Sequence, residues 1–438
     1  MDLFDLGGRA FRARLRRELP QWRAEGIVSD TGADELERRY HLDEEGVSAA
    51  AAAIYTLGAL LIGGGVISFV AWNWDDLGRA AKLAILFVAL LAAHGTGYWM
   101  WRIAGRLPKL GHAFMLLGTL IFGASIGLIA QIFHIPSTAG TGYGLWAIGA
   151  GVAAWALGSV PNGVLGAVLA TIWGCAHASD AESLYAVAPY AVAVPFFPLA
   201  WRLRSRLLFF ITALASLFAM AWAATSEADQ FVAFAAAVNA GALLLLAFSC
   251  WAREGTTAAH FARVAHLTGL LAIATVFFLC SFGEIAEDAS WTRLSDEPRS
   301  SWIWFAIPGA AGAAVLFALG GARALLDRPA TLCAVLGALL LALALVPANP
   351  EGTGAIAANV VLAAIAIAAV TSAVRTLERA QFWAGSVLGV ALILSRFAEF
   401  ETQLWLKAIV FLASGMAVIW FGVVFERRKR VAREEGHA

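Results

Sequence analysis

The sequence predicts an all-α protein: a polytopic bundle of about 12–14 transmembrane helices with a small helical hairpin before it. Three observations lead there. Of the 438 residues, 60% are hydrophobic and only 14% are charged, where a soluble domain carries about 25% charged residues. Apolar runs of bilayer-spanning length recur from Ala50 onward. The charges stand between those runs and sort by sign, as membrane insertion demands.

Residues 1–46 read as a cytoplasmic helical head. Phe11, Leu15, Leu19 and Trp22 recur at helical spacing and make one apolar stripe. Pro20 is expected to kink that helix or divide it near Leu19. Gly26-Ile27-Val28-Ser29-Asp30 reads as a break, with Asp30 as N-cap of a second helix whose stripe is Ala33, Leu36 and Tyr40. A hairpin this small cannot be stable alone, so it is expected to pack on the membrane domain or on a second copy.

The membrane domain spans 47–425. Its first run, Ile54 to Asp76, carries no charge between Tyr55 and Trp74 and holds Gly58, Gly63, Gly64 and Gly65, where another helix can approach closely. It ends in Trp72-Asn73-Trp74-Asp75-Asp76, indoles for the headgroup layer and carboxylates for water. No cleavable leader pattern precedes it, and the expectation is an uncleaved signal anchor. Further apolar segments follow at 80–101, 112–133, 143–160, 162–177, 185–201, 206–224, 230–251, 262–283, 302–322, 329–347, 354–373, 380–395 and 404–425. Pro161 marks a tight connection between two of them. A basic cytoplasmic tail, 426–438, closes the chain.

With both termini inside, only Arg79, Lys82, Arg293, Arg299, Arg396 and Lys407 of the 31 Lys and Arg fall outside. Acids show the complementary pattern: Asp75, Asp180, Glu227, Glu284 and Glu351 all fall in outer loops or at outer helix ends, and none lies mid-span. Shifting the span count by one would scramble this segregation. The predicted topology is multi-pass, with both termini cytoplasmic.

Candidate chemistry is sparse. Mid-span polar groups are His94, Asn239 and Asn359, each expected to make a helix-packing hydrogen bond. The absence of mid-span carboxylates argues against an ordinary proton- or sodium-coupled transporter. Cys175, Cys250, Cys280 and Cys333 show no CxxC spacing and read as packing residues, with a Cys175–Cys280 bridge left open. Gly123-xxx-Gly127 and Gly385-xxx-Gly389 read as close-packing motifs. His177, Asp180 and Glu182 share one loop, which rarely suffices for a metal. No phosphate loop, catalytic motif or basic-aromatic nucleic-acid surface appears, so no cofactor, metal or nucleic acid is expected.

The more informative polar groups stand at outer helix ends. Asn73 closes the first span; Gln131 and His134 close the third and share a helix face. With Trp72 and Trp74 they form the candidate outward-facing pocket, the alternative being interfacial anchoring and capping.

These stretches carry a resemblance. Leu19-Pro20-Gln21-Trp22, then Glu25 to Ser29; TLGALLIGGGVISFVAWNWDD, then Arg79 and Lys82; and Gln131-Ile132-Phe133-His134, then Leu145-Trp146-Ala147, resemble bacterial predicted membrane proteins of domain of unknown function 2157. The resemblance covers about the first 175 residues. It implies a multi-pass location in a bacterial inner (plasma) membrane and a membrane architecture, and no activity.

Two functional classes stay open. In one, the bundle binds or moves a membrane lipid or amphipathic envelope molecule through the outward pocket. In the other, it is a structural or sensory scaffold whose residues 1–46 recruit a cytoplasmic protein or a second copy. An enzyme ranks last, because no nucleophile–base pair and no paired carboxylates can be named.

Overall fold

The computed structural model describes residues 15, 18–40, 77–104, 108–136, 139–178, 187–228, 231–252, 255–282, 303–321, 325, 328–344, 353–376 and 379–399, with short pieces at 415–416, 420–424 and 427–428. These residues form helices and short turns, and no strand occurs among them. The first span, Trp72 to Trp74, the 284–301 connection, the His177–Glu182 side chains and most of 404–438 lie outside the described residues. The chain divides into two compact units, Met1–Lys82 and Leu83–Ala438.

In the first unit, residues 18–24 are helical and α1 (Asp30–Tyr40) follows. Leu15, Leu19 and Ala33 are buried together, with Trp22, Val28 and Leu36 around them. The helix continues through Pro20 rather than dividing at Leu19. Proline there forfeits one backbone bond, and continuing keeps Leu19 and Trp22 on the buried stripe. Gly26 ends it at φ 70°, with Ile27 N–H donating to the Trp22 carbonyl at 2.9 Å, a Schellman closure. The cap of α1 is Ser29, not Asp30: Ser29 Oγ accepts the Gly32 N–H at 3.2 Å. Asp30 instead pairs with Arg23 at 2.5 Å, and that carboxylate raises the already high pKa of the guanidinium.

The second unit is built from α2 (Arg79–Tyr98, begun in the first unit and continued by a π-helical turn, Trp99–Ile103), α3 (Pro108–Phe133), α4 (Ala139–Leu157), α5 (Val160–Ala178), α6 (Ala188–Arg202), α7 (Arg206–Ala228), α8 (Phe231–Trp251), α9 (Ala259–Cys280), α10 (Ile303–Leu316, with a π turn Phe317–Gly321), α11 (Pro329–Ala344), α12 (Thr353–Thr376) and α13 (Arg379–Glu399). These track the apolar segments closely. Among the described residues, six are long and apolar enough to cross a membrane: Arg79–Ile103, Leu110–Phe133, Arg206–Ala224, Ala233–Trp251, Ala259–Cys280 and Ala355–Thr376. Pro161 sits in the first turn of α5, where its missing N–H is harmless. The connection before it is made by Gly158 at φ 61°.

Hydrogen bonds show how the helix ends gather. Arg202 reaches the Trp155 carbonyl, Arg206 reaches the His260 carbonyl and Arg328 reaches the Ser249 carbonyl. Ends of α4, α6 and α8 therefore meet beginnings of α7, α9 and α11, so the helices alternate in direction. At the far end of α9, Asn359 and Arg396 converge on the Ser281 carbonyl at 3.1 and 2.5 Å. One continuous core joins α4 through α9 with α11 and α12, centred on Phe196, Leu199, Leu208, Leu246, Phe261 and Phe277. Phe87, Ile148, Val194, Leu271 and Ile356 face outward, an inversion of soluble-protein order that hydrocarbon solvent accommodates.

Small residues set the closest approaches. Gly385 lies where a Cβ would be 2.9 Å from Ala369 Cβ, so this motif is a helix contact as its spacing predicts. Gly123 instead seats the Trp146 indole, whose Nε1 donates to the Thr119 carbonyl at 2.9 Å, while Gly127 has nothing beside it. All four cysteines are free.

Candidate functional site

An apolar concavity lies between α4, α5 and α6. Gly144, Ala147 and Gly151 recur at spacings of three and four, so one face of α4 is stripped of bulk. Ala170 of α5 and Ala191 of α6 face the same space. The result is a laterally open groove of about 820 Å³, walled also by Ile148, Val152 and Phe196 and bounded by Trp173 towards Thr141 and by Trp155 at the other end. Thr141 and Trp155 are about 21 Å apart along the helix at roughly 1.5 Å per residue. That exceeds one leaflet, about half of a hydrocarbon core of about 30 Å.

The third wall contains two prolines. Pro195 and Pro198 stand inside α6 and lack N–H groups, so the Ala191 and Val194 carbonyls lose their helical donors. The Pro195 carbonyl accepts the Trp155 indole N–H at 3.1 Å, fixing the ring across the groove's end. Arg202 stands beyond it, Nη1 donating to the Trp155 carbonyl at 3.1 Å and the guanidinium 5.6 Å from the indole centroid.

Arg202 opens a basic corner. The α6–α7 turn closes through Ser205 N–H to Ala200 O at 3.1 Å and Arg204 N–H to Trp201 O at 3.2 Å, a Schellman motif whose left-handed position normally holds glycine. Here Arg204 occupies it at φ 48°. Its carbonyl meets His260 Nε2 at 2.9 Å, and Arg206 Nε donates to the His260 carbonyl at 3.0 Å. Beneath, Phe261 stacks on Phe209 and Trp201 at centroid distances of 5.0 and 5.5 Å.

Of the residues expected to form an outer pocket, Gln131 and His134 come together at the end of α3, both exposed; Trp72, Asn73 and Trp74 are outside the described residues. His134 ends the helix at φ 53°, Ile135 N–H bonding Ala130 O at 2.9 Å. It thus holds a second glycine-type position. Replacing His134 by glycine should raise stability by about 1 kcal/mol, because a left-handed L-residue is strained by roughly that much. Thermal unfolding in detergent measures this, and unchanged lipid retention in the same variant would mark His134 as a cap rather than a ligand.

The mid-span polar groups have separate fates. Asn359 bonds across helices to Ser281, as expected, and also to Ala355. His94 bonds its own helix at the Leu90 carbonyl, 3.1 Å away, and its ring occupies the notch over Gly118. Asn239 Oδ1 is buried without a hydrogen-bond partner. Two groups escaped sequence reasoning. His266 lies 3.5 Å from Thr331 Oγ1. Asn162, fully buried at the start of α5, has no partner for either amide atom. The basic corner was legible only as a topology marker, although a helix–helix turn reading Leu203-Arg204-Ser205 with no glycine was a usable signal. Among the described residues no three His, Cys, Asp or Glu gather to hold a metal.

Residues 20–162 match the family model described as a predicted membrane protein, DUF2157. The match takes in α2, α3 and α4 and stops within the first turn of α5, so it contains one wall of the groove. No curated protein and no solved structure matches the chain.

Proposed function

We propose that this multi-pass membrane protein with a DUF2157 segment binds a membrane lipid or a similar amphipathic envelope molecule, holding its chain in the groove between α4, α5 and α6. One observation carries the reading: a lateral groove of about 820 Å³ with almost wholly apolar walls, long enough for an acyl chain and ending at a fixed indole and an arginine. Bilayer-exposed helices gain nothing from such a concavity unless something apolar fills it.

Gly151 provides the test. A Cβ there would meet only Phe196 Cζ, at 3.8 Å, so leucine enters the groove without displacing a helix. Gly151→Leu should express and melt like wild type, since leucine also favours helix over glycine by about 0.8 kcal/mol, yet lose the lipid that co-purifies with the chain. Undiminished lipid in a well-folded variant would remove the groove from the account.

In this reading the protein lies in a bacterial inner membrane with both termini cytoplasmic. The clustering of Arg202, Arg204, Arg206 and Arg328 at alternate helix ends supports it. A single cysteine at Ser205 should then react with an impermeant thiol reagent only after permeabilisation; labelling in intact cells would invert the orientation. The scaffold alternative rests on residues 1–46, and a stoichiometric soluble partner without bound lipid would favour it.

A further inference from the structure

We infer that the groove's ligand is an anionic phospholipid whose phosphate sits at the corner formed by Arg202 and Arg204, with its acyl chain running along α4 towards Trp173. The inference rests on the groove reading and adds the headgroup class and its ligating residues.

Two independent features point to an anion. First, Arg202 is held at the groove's mouth by the Trp155 carbonyl and ring through Nη1, and its Nε and Nη2 have no partner among the described residues. A planar guanidinium fixed at one corner still offers a pair of N–H groups to phosphate oxygens. Second, Arg204 occupies a left-handed position at φ 48° that glycine would take without strain. Its backbone carbonyl holds His260, which any residue's carbonyl could do, and its guanidinium has no partner among the described residues. A strained arginine with an uncommitted side chain indicates that the side chain itself has a task.

The source of the anion follows from the groove. A free phosphate would need only the arginines, whereas the apolar space opening at Trp155 fits a molecule with a chain attached to its phosphate. Zwitterionic lipids add a cation beside that phosphate, which the basic corner disfavours; a net negative headgroup is favoured there.

The test titrates the purified full chain with phosphatidylglycerol and with phosphatidylcholine of identical acyl chains and counts bound lipid by native mass spectrometry. Wild type should bind phosphatidylglycerol about tenfold more tightly, the scale of one charge-assisted hydrogen-bond pair. Arg202→Gln and Arg204→Gly should each erase most of that preference, lowering affinity for phosphatidylglycerol more than for phosphatidylcholine. Arg204→Gly relieves backbone strain, so its loss of preference cannot be assigned to misfolding. Equal affinity for the two lipids in wild type, preference surviving in both variants, or full displacement of phosphatidylglycerol by inorganic phosphate would overturn the inference while leaving the groove reading intact. If Gly151→Leu binds both lipids as wild type does, the groove reading itself fails.

Discussion

Replacing Gly97 by leucine should part α2 from α3 and destabilise the protein by more than about 3 kcal/mol, beyond the usual range for overpacking. The reason is what surrounds the position. A Cβ on Gly97 would stand 2.8 Å from the Gly111 carbonyl oxygen and 2.9 Å from the Met115 backbone nitrogen. Backbone inside a helix cannot swing aside as a side chain can. The contact is reciprocal, since a Cβ on Gly111 would lie 2.8 Å from the Gly97 oxygen and 2.7 Å from Trp101 Cβ. Even Gly97→Ala should lower the melting temperature in detergent, and leucine should lower it much further. A leucine variant that melts with wild type would mean that these helices do not approach as described.

The second large effect is expected at the floor of the basic corner. Phe261 is fully buried and stacks between Phe209 and Trp201, with the His260 ring edge-on at 5.0 Å. Phe261→Ala should cost about 3–5 kcal/mol, the transfer term plus the cavity that remains. It should also release the α6–α7 turn, because His260 and Arg206 tie that turn to the start of α9. Stability and headgroup preference should therefore fall together in Phe261→Ala, whereas Arg204→Gly loses preference alone. Comparing melting curves and lipid titrations of the two variants separates them; a Phe261→Ala protein as stable as wild type would deny this cluster its structural role.

Much of the architecture can be read from residue order because the bilayer imposes it. An apolar run between charged ends must close its backbone hydrogen bonds as a helix, and the segments at 112–133, 206–224 and 354–373 reappear as α3, α7 and α12 with ends shifted by a few residues. The details that escape depend on neighbours. Gly123-xxx-Gly127 has the spacing of a helix contact, but Trp146 takes the first glycine and nothing takes the second. Gly144, Ala147 and Gly151 have the same look as a packing face, yet the Trp173 indole takes Gly144 while Gly151 stands open on the groove with only Phe196 within reach. Small residues permit either close contact or a cavity, and only the opposing helix decides. Ser29 and Asp30 were equally good caps by type, and the pairing of Asp30 with Arg23 assigns them different work. Residue type does not mark His134 or Arg204 as the holder of a left-handed backbone position.

The central claim is that a lipid chain occupies the space between α4, α5 and α6, and site-resolved crosslinking measures it directly. A phosphatidylglycerol carrying a photoactivatable diazirine in its acyl chain would be incorporated into membranes containing the full chain, activated, and its adducts mapped by peptide mass spectrometry. Adducts concentrated on Ala147, Ile148, Gly151, Val152 and Ala191, and depleted in Gly151→Leu, are the predicted result. Adducts spread evenly over outward-facing residues such as Phe87, Val88, Leu271 and Ile356, with no change in Gly151→Leu, would contradict it.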